Sequence, residues 1–290
     1  MASECCYVLL SIEYHGDRYG GWQRQGKQGE GHLLLPLPSV QQVVESAAAH
    51  VLSADFVTCV QVAGRTDKGV HALDQRCALR VPITIDIKCF AEQMNLHLRG
   101  DHSIAVRVAN VCQNVKFVVV RKRYKYILQI PRRQANRRPL EGLHPFSRHE
   151  SRPIDLDLMK NAMAIMVGTH DFQHLSKQKE PKASTTRTVY SAFITVAATN
   201  DDLPAFQFAS SPSWNVENHE FWTIHVESSG FLWHQMRRMV SLALKVAQGS
   251  WPVGSVLDVL EGKRVGPASA PARGLYLDRV WLAGECDRQG

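Results

Sequence analysis

The segment that most restricts the fold is Ala63-Gly64-Arg65-Thr66-Asp67-Lys68-Gly69-Val70-His71-Ala72. It separates two apolar, β-branched runs, 56–62 and 73–81, that read as strands. Gly64 and Gly69 suit a tight excursion between two strands, which presents the side chains lying between them. Taken alone, Asp67 has two readings: an ordinary turn residue, or a carboxylate displayed for chemistry.

The remainder of the chain alternates strands and helices. Residues 6–14 read as a strand leading into the Gly-rich turn from His15 to Gln25, and 26–38 as an irregular Gly/Leu/Pro-rich surface loop. Ser39-Val40-Gln41-Gln42 fits a capping box, opening a helix whose apolar face is Val40, Val43, Val44, Ala47, Ala48, Val51 and Leu52. A helix over 86–98 and strands over 103–111 and 115–130 follow. Asp155 can cap a helix through Val167, stopped by Gly168, and 177–187 is charged and irregular. Strands are expected over 191–197 and 221–226. A helix over 231–248 buries Met236, Met239, Val240, Ala243, Leu244 and Ala247. A short helix near 256–261 and a strand over 275–282 close the chain. Strand, helix and strand groups recur in both halves with mostly short connections. This predicts an α+β fold of two similar sheet-plus-helix domains, 1–112 and 113–290.

Composition excludes several classes. With 290 residues, 44% hydrophobic and 21% charged, the chain is that of a folded protein long enough for two domains. No run approaches the ~18 to 20 apolar residues of a bilayer helix, so no membrane partner is expected. The first ten residues lack a basic region before their apolar stretch, which predicts no secretory or organellar signal and a cytoplasmic or nuclear protein. The 7 cysteines are scattered without CxxC spacing, and Cys59, Cys77 and Cys112 lie in apolar segments, as reduced buried thiols do. Lys and Arg number 34 against 27 Asp and Glu, a net +7 that favours a polyanionic partner. Basic residues cluster at Lys116, Arg121, Lys122, Arg123 and Lys125, at Arg132, Arg133, Arg137 and Arg138, and around Trp22 at Arg18, Arg24 and Lys27. Such runs are solvated faces as often as phosphate contacts.

Six segments, in order, resemble the motifs of TruA-type tRNA pseudouridine synthases. Tyr14-His15-Gly16 with Gly21-Trp22-Gln23-Arg24-Gln25 is similar to YxG…GWQRQ, and the Ala63–Ala72 decapeptide resembles the segment whose aspartate is the nucleophile. Arg123-Tyr124-Lys125-Tyr126 resembles RxYxY, and Gly168-Thr169-His170-Asp171-Phe172 resembles the G-x-x-DF turn. The run from Phe231 through His234 to Arg237 resembles F-x-x-H-x-x-R, and Gly274-Leu275-Tyr276-Leu277 resembles the closing GLYL. The resemblance implies an isomerase that converts uridines of tRNA, in the anticodon stem-loop, to pseudouridine. It implies no cofactor, a homodimer with tRNA across both subunits, and a central basic active-site cleft flanked by the two domains. It assigns Asp67 as nucleophile, Arg65 and Arg237 as the cations that hold it ionised, and Tyr124 as the ring against the uracil. Arg24, Lys116, Arg121 and Lys122 become candidate RNA contacts. One departure stands out: where the family reads FHARFSA, this chain reads Gln113-Asn114-Val115-Lys116-Phe117-Val118-Val119. Lys116 keeps the charge of an arginine but not its bidentate fork.

The chemistry fits these residue types. Pseudouridine formation breaks the glycosidic C–N bond, turns the uracil and rejoins it through carbon, which needs no cofactor if a carboxylate attacks the nucleoside at the base or at the sugar. That carboxylate must be ionised, and an opposite charge at short range lowers a carboxyl pKa by roughly 1 to 3 units. Extruding a base costs a few kcal/mol, and stacking on an aromatic ring returns about 1 to 3 kcal/mol. Tyr126 reads as a core residue supporting Tyr124, Arg238 as a solvated neighbour of Arg237, and His71 as a shaper of the Asp67 loop. His170 and His174 have a zinc-like spacing, but they follow the helix-ending Gly168 and lack a third ligand nearby, so no metal is expected. The competing readings are a catalytically silent tRNA-binding protein and a metal-dependent nuclease.

Overall fold

The computed structural model describes residues 5–24, 37–52, 57–82, 86–100, 103–112, 117–131, 148–149, 152–177, 184–206, 214, 216–217 and 219–283. In chain order the described elements are β1 (Cys5–Tyr14), α1 (Val40–Val51), β2 (Cys59–Val62), β3 (His71–Pro82), α2 (Ile87–Leu98), β4 (Ile104–Cys112) and β5 (Val119–Pro131). They continue with β6 (Arg148–His149), α3 (Leu156–Ile165), β7 (Gly168–Asp171), β8 (Thr186–Val196), β9 (His219–Ser228), α4 (Gln235–Ala247), α5 (Ser255–Leu260) and β10 (Leu275–Leu282). The fold is mixed α and β, with strands in mostly antiparallel pairs and few helices. Among the described residues no helix is long and apolar enough to cross a membrane.

Two compact units form: Met1–Val118 with Ala205–Ser211 and Leu277–Gly290, and Val119–Pro204 with Pro212–Tyr276. In the first, the strand order is β4-β1-β3-β10, with β2 also on β3. β1 runs antiparallel to both β3 and β4, and its residues from Val8 to Tyr14 are buried on either face. A strand so enclosed is apolar almost throughout, which is why its alternation in the sequence is loose. Helix α1 opens as its capping box predicts. Ser39 Oγ accepts from Gln42 N–H at 3.1 Å and Gln42 Oε1 accepts from Ser39 N–H at 3.0 Å, an arrangement worth about 1 kcal/mol. Val40, Val44, Ala47 and Ala48 form its buried face.

The second unit orders its strands β5-β9-β8-β7, with β6 parallel to β5. Asp155 caps α3 by accepting from the N–H groups of Asp157 and Leu158, both at 2.9 Å, and its own N–H donates to Ala247 O at the end of α4. All six apolar residues expected on α4 are buried. Two of the boundaries that differ from the sequence reading bear on the site. Helix α4 begins at Gln235, four residues later than expected, because His234 is left-handed (φ 64) and Leu232 N–H is satisfied by Gln235 Oε1 at 2.8 Å. Strand β8 begins at Thr186, so Arg187 lies in a strand paired with β7 and not in an irregular segment.

Candidate active site

Residues 63–70 leave β2 and enter β3, and their backbone is held by the segment that follows β1. Tyr14 Oη and Thr66 Oγ1 are hydrogen-bonded at 2.7 Å. Trp22 N–H donates to Thr66 O at 3.0 Å, and Gly69 N–H to Gly16 O at 3.1 Å. Gly16 N–H donates to Nδ1 of the buried His71 at 3.2 Å, so His71 does shape this loop. The backbones touch. A Cβ on Gly16 would lie 2.0 Å from Val70 O, and one on Gly21 (φ +105) would lie 3.0 Å from Thr66 O. No larger residue fits at either place. Inside the loop, Val70 N–H donates to Asp67 O at 3.1 Å, closing a β-turn whose third residue, Gly69, has φ +81. Thr66 is thereby buried, Asp67 half-buried, and Arg65 and Lys68 exposed. Burial pushes the Tyr14 phenol up to about 12, against the opposing hydrogen bonds of Thr66 and Gln75, so the prop under Thr66 is uncharged at ordinary pH.

Tyr124 and Arg237 belong to the second unit. Tyr124 is buried on β5, its ring edge-on to Phe231 with centroids 4.9 Å apart. Tyr126 is fully buried, as expected, and donates to Pro271 O at 2.9 Å. Burial pushes its phenol up, partly offset by the positive charges of Arg148, Arg237 and Arg273. A Cβ on Gly274 would come within 2.8 Å of the Tyr126 ring, so the glycine of the GLYL segment is what admits that ring. Arg237 donates from Nε to Ala270 O at 2.6 Å, while Ala270 N–H returns a bond to Arg237 O at 3.1 Å. Its Nη1 lies 3.2 Å from His234 Nε2. A guanidinium only donates, so Nε2 accepts and the imidazole proton sits on Nδ1, where Ser269 Oγ is 2.7 Å away. His234, Ser269 and Ala270 escaped the sequence reading as supports of Arg237. The one available signal was the three-residue spacing of His234 and Arg237 within F-x-x-H-x-x-R.

The basic candidates divide. Arg24 pairs with the buried carboxylate of Glu45, and Arg121 Nη1 pairs with Glu227 Oε1 at 2.6 Å. Lys122, by strand alternation, points to the face opposite Arg121 and shares it with Tyr124. Lys116, Lys27, Arg132, Arg133, Arg137 and Arg138 lie outside the described residues. Arg238 is not on a solvated face: it is half-buried and donates to Ser176 O at 2.8 Å and His174 O at 3.2 Å. Those carbonyls at the end of β7's following turn draw the guanidinium inward. His170 meets Val167 O at 3.0 Å through Nε2, whereas His174 packs on Gly262. Among the described residues no three His, Cys, Asp or Glu side chains are grouped to hold a metal ion.

A profile of the family described as tRNA pseudouridine synthase matches residues 162–281, the stretch that carries His234, Arg237 and Gly274. Curated relatives extend the similarity to nearly the whole chain. A protein of Oleidesulfovibrio alaskensis named tRNA pseudouridine synthase A is 34% identical over 283 residues, 96% of this chain and 97% of the relative. Proteins of the same name from Acidiphilium cryptum and Chlamydia felis are 32% and 28% identical, covering 93% and 94% of this chain and 94% and 90% of their own.

Proposed function

This chain belongs to the TruA-type tRNA pseudouridine synthase family, and we propose from that membership that it isomerises tRNA uridines to pseudouridine through a covalent bond to Asp67. The reaction breaks the bond from uracil N1 to C1′ of the ribose and forms one from C5 to C1′. The proton lost at C5 is balanced by one gained at N1, so nothing is oxidised or reduced. The Asp67 carboxylate attacks the nucleoside, at the base or at the sugar; a bond to the sugar breaks as the C5–C1′ bond closes, and a bond to the base breaks as the C5 proton leaves. Arg65 and Arg237 hold it ionised, and Tyr124 stacks the extruded base. In this reading the two units flank a basic cleft, the substrate uridines lie in the anticodon stem-loop, and tRNA spans a homodimer. Arg24, Lys116, Arg121 and Lys122 contribute charge toward its phosphates.

The observation that most supports the reading is the seating of the Asp67 turn. Two glycines and a buried Tyr14–Thr66 bond fix the backbone of residues 66–70, while the Arg65 side chain stays exposed and Asp67 half-exposed. A nucleophile needs that combination of fixed position and access. The test is tritium release from tRNA transcribed with uridine tritiated at C5, with no cofactor added. The proposed enzyme liberates tritium to water stoichiometrically with pseudouridine; a catalytically silent binder leaves all of it on the base.

His234 enters as the positioning residue for Arg237. A non-glycine residue at φ 64 costs of order 1 kcal/mol, and the imidazole bridge from Ser269 to Arg237 offsets that cost. His234→Gly is therefore expected to leave Tm unchanged or slightly raised while kcat on tRNA falls about 10- to 100-fold. A role confined to helix stability predicts instead that Tm and activity fall together.

A further inference from the structure

Strand β5 sends its basic residues to two faces. Arg121, paired with Glu227, lies on one; Lys122 lies on the other beside Tyr124. Across the sheet Lys122 is opposite Ser228, and Ser228 opposite Val189. Arg187, two residues before Val189, points to that same face and is opposite His170 on β7. The Arg187 side chain runs along Gly230, where a Cβ would stand 3.5 Å from Nε and 3.7 Å from Cδ. The next residue, Phe231, is the one whose ring meets Tyr124. One turn, 228–231, thus gathers two cations and the tyrosine.

Neither cation faces a carboxylate among the described residues. Arg187 Nη1 donates to the carbonyls of Ser184 and Thr186 at 2.8 and 2.7 Å. Lys122 is half-buried and makes no hydrogen bond or ion pair with a described residue. Burial, with the Arg187 charge adding to it, pushes its ammonium down to about 8. Two like charges on one face of the sheet, with no described carboxylate opposite either, are a standing cost to the fold, and an anion bound between them would relieve it.

We propose that Lys122 and Arg187 form a two-cation seat for one phosphodiester of the bound RNA, adjoining the nucleotide that stacks on Tyr124. The seat rests on the tRNA reading above and adds to it Arg187, a mode of action for Lys122, and a place on the strand. Phosphate is the only anionic group RNA offers, and a paired Lys and Arg fix a backbone position without reading sequence.

The test is equilibrium binding of unmodified tRNA across a salt series, with tritium release measured in parallel. Lys122→Met and Arg187→Met are each expected to weaken binding about tenfold and to lower the slope of log K against log salt by about one. Because both charges serve one phosphate, the double variant loses no more slope than either single. Lys122→Met melts no lower than wild type, since it removes an uncompensated half-buried charge. A pH series adds a readout that a structural role would not move. The groups facing Lys122 are Tyr124 on its own strand, Ser228 on β9, and Arg187 on β8 with His170 across from it; Glu227 is on the far face with Arg121. Above pH ~8 the wild type must take up a proton to bind with full affinity, so its affinity falls toward that of Lys122→Met, about tenfold in all, whereas Lys122→Arg stays charged and loses little. Should Arg187→Met fail to fold, the Lys122 variants decide alone. If wild type binds and isomerises tRNA while the variants keep its slope and affinity, the seat is wrong and the enzyme reading stands. If wild type neither binds tRNA nor releases tritium, the enzyme reading fails and the seat goes with it.

Discussion

Asp67→Asn is expected to lower pseudouridine formation by at least about four orders of magnitude while changing tRNA affinity by no more than about threefold. Asparagine preserves the shape of the side chain and the turn closed by Val70 N–H, which donates to the Asp67 backbone carbonyl and not to the side chain. What it removes is the nucleophilic oxygen and its charge. Tritium release measures the first quantity and a binding titration the second. Turnover near the wild-type rate would show that another group attacks the nucleoside.

Gly16→Ala is expected to be damaging as well, by a different route. Its Cβ would sit 2.0 Å from Val70 O and 2.4 Å from Val70 C, a clash with backbone that no side-chain rotation relieves. Gly16 also accepts from Gly69 N–H and donates to His71, so relief must come from moving the loop that carries Asp67. Overpacking of this kind costs about 3 kcal/mol. In a chain of this size that lowers Tm by roughly 5 to 10 °C. The loss of activity should persist where the fold is intact: well below the new Tm, kcat should still fall by about 100-fold, because a nucleophile displaced by an ångström is no longer aligned. Thermal melts and single-turnover rates check the two effects separately, and a variant normal in both would remove Gly16 from the support of the turn.

Much of this was legible in the sequence where the cause is local. The Ser39 capping box, the Asp155 cap, the apolar stripe of α4 and the bounds of β10 all follow from residues within a few positions of each other. The Asp67 segment announced itself through its glycines and flanking strands. What could not be read is what those residues touch. The sequence displays Gly16 and Gly21 but not the backbone of residues 66–70 lying against them. The left-handed start of α4 is invisible because a non-glycine residue at positive φ is disfavoured locally, and its compensation comes from Ser269, 35 residues away. Arg121 and Lys122 look equivalent in a basic run. The strand's alternation separates them, and the partner of Arg121, Glu227, is 106 residues distant. Arg187 was hidden by its charged surroundings, although the β-branched Thr186, Thr188 and Val189 favour the strand that β7 completes.

Those two cations of β5 and β8 also illustrate how binding and stability oppose each other in one place. Lys122 beside Arg187 is unfavourable in the free protein, and its deprotonation on raising the pH through about 8 relieves the cost, so this pair contributes a stability that rises with pH in that range. The same deprotonation removes the charge an RNA phosphate would meet. Residues that a fold keeps against its own stability are where ligand contacts are to be sought.

The bond between Asp67 and a nucleotide is probed by tRNA containing 5-fluorouridine. Fluorine at C5 cannot leave as a proton, so where Asp67 attacks the base the isomerisation stalls with the carboxylate still bound. The result expected from attack at the base is an RNA–protein adduct that survives denaturing electrophoresis, maps by mass spectrometry to the peptide containing Asp67, and is absent from Asp67→Asn. An adduct on another residue, or one that persists in Asp67→Asn, would overturn the assignment.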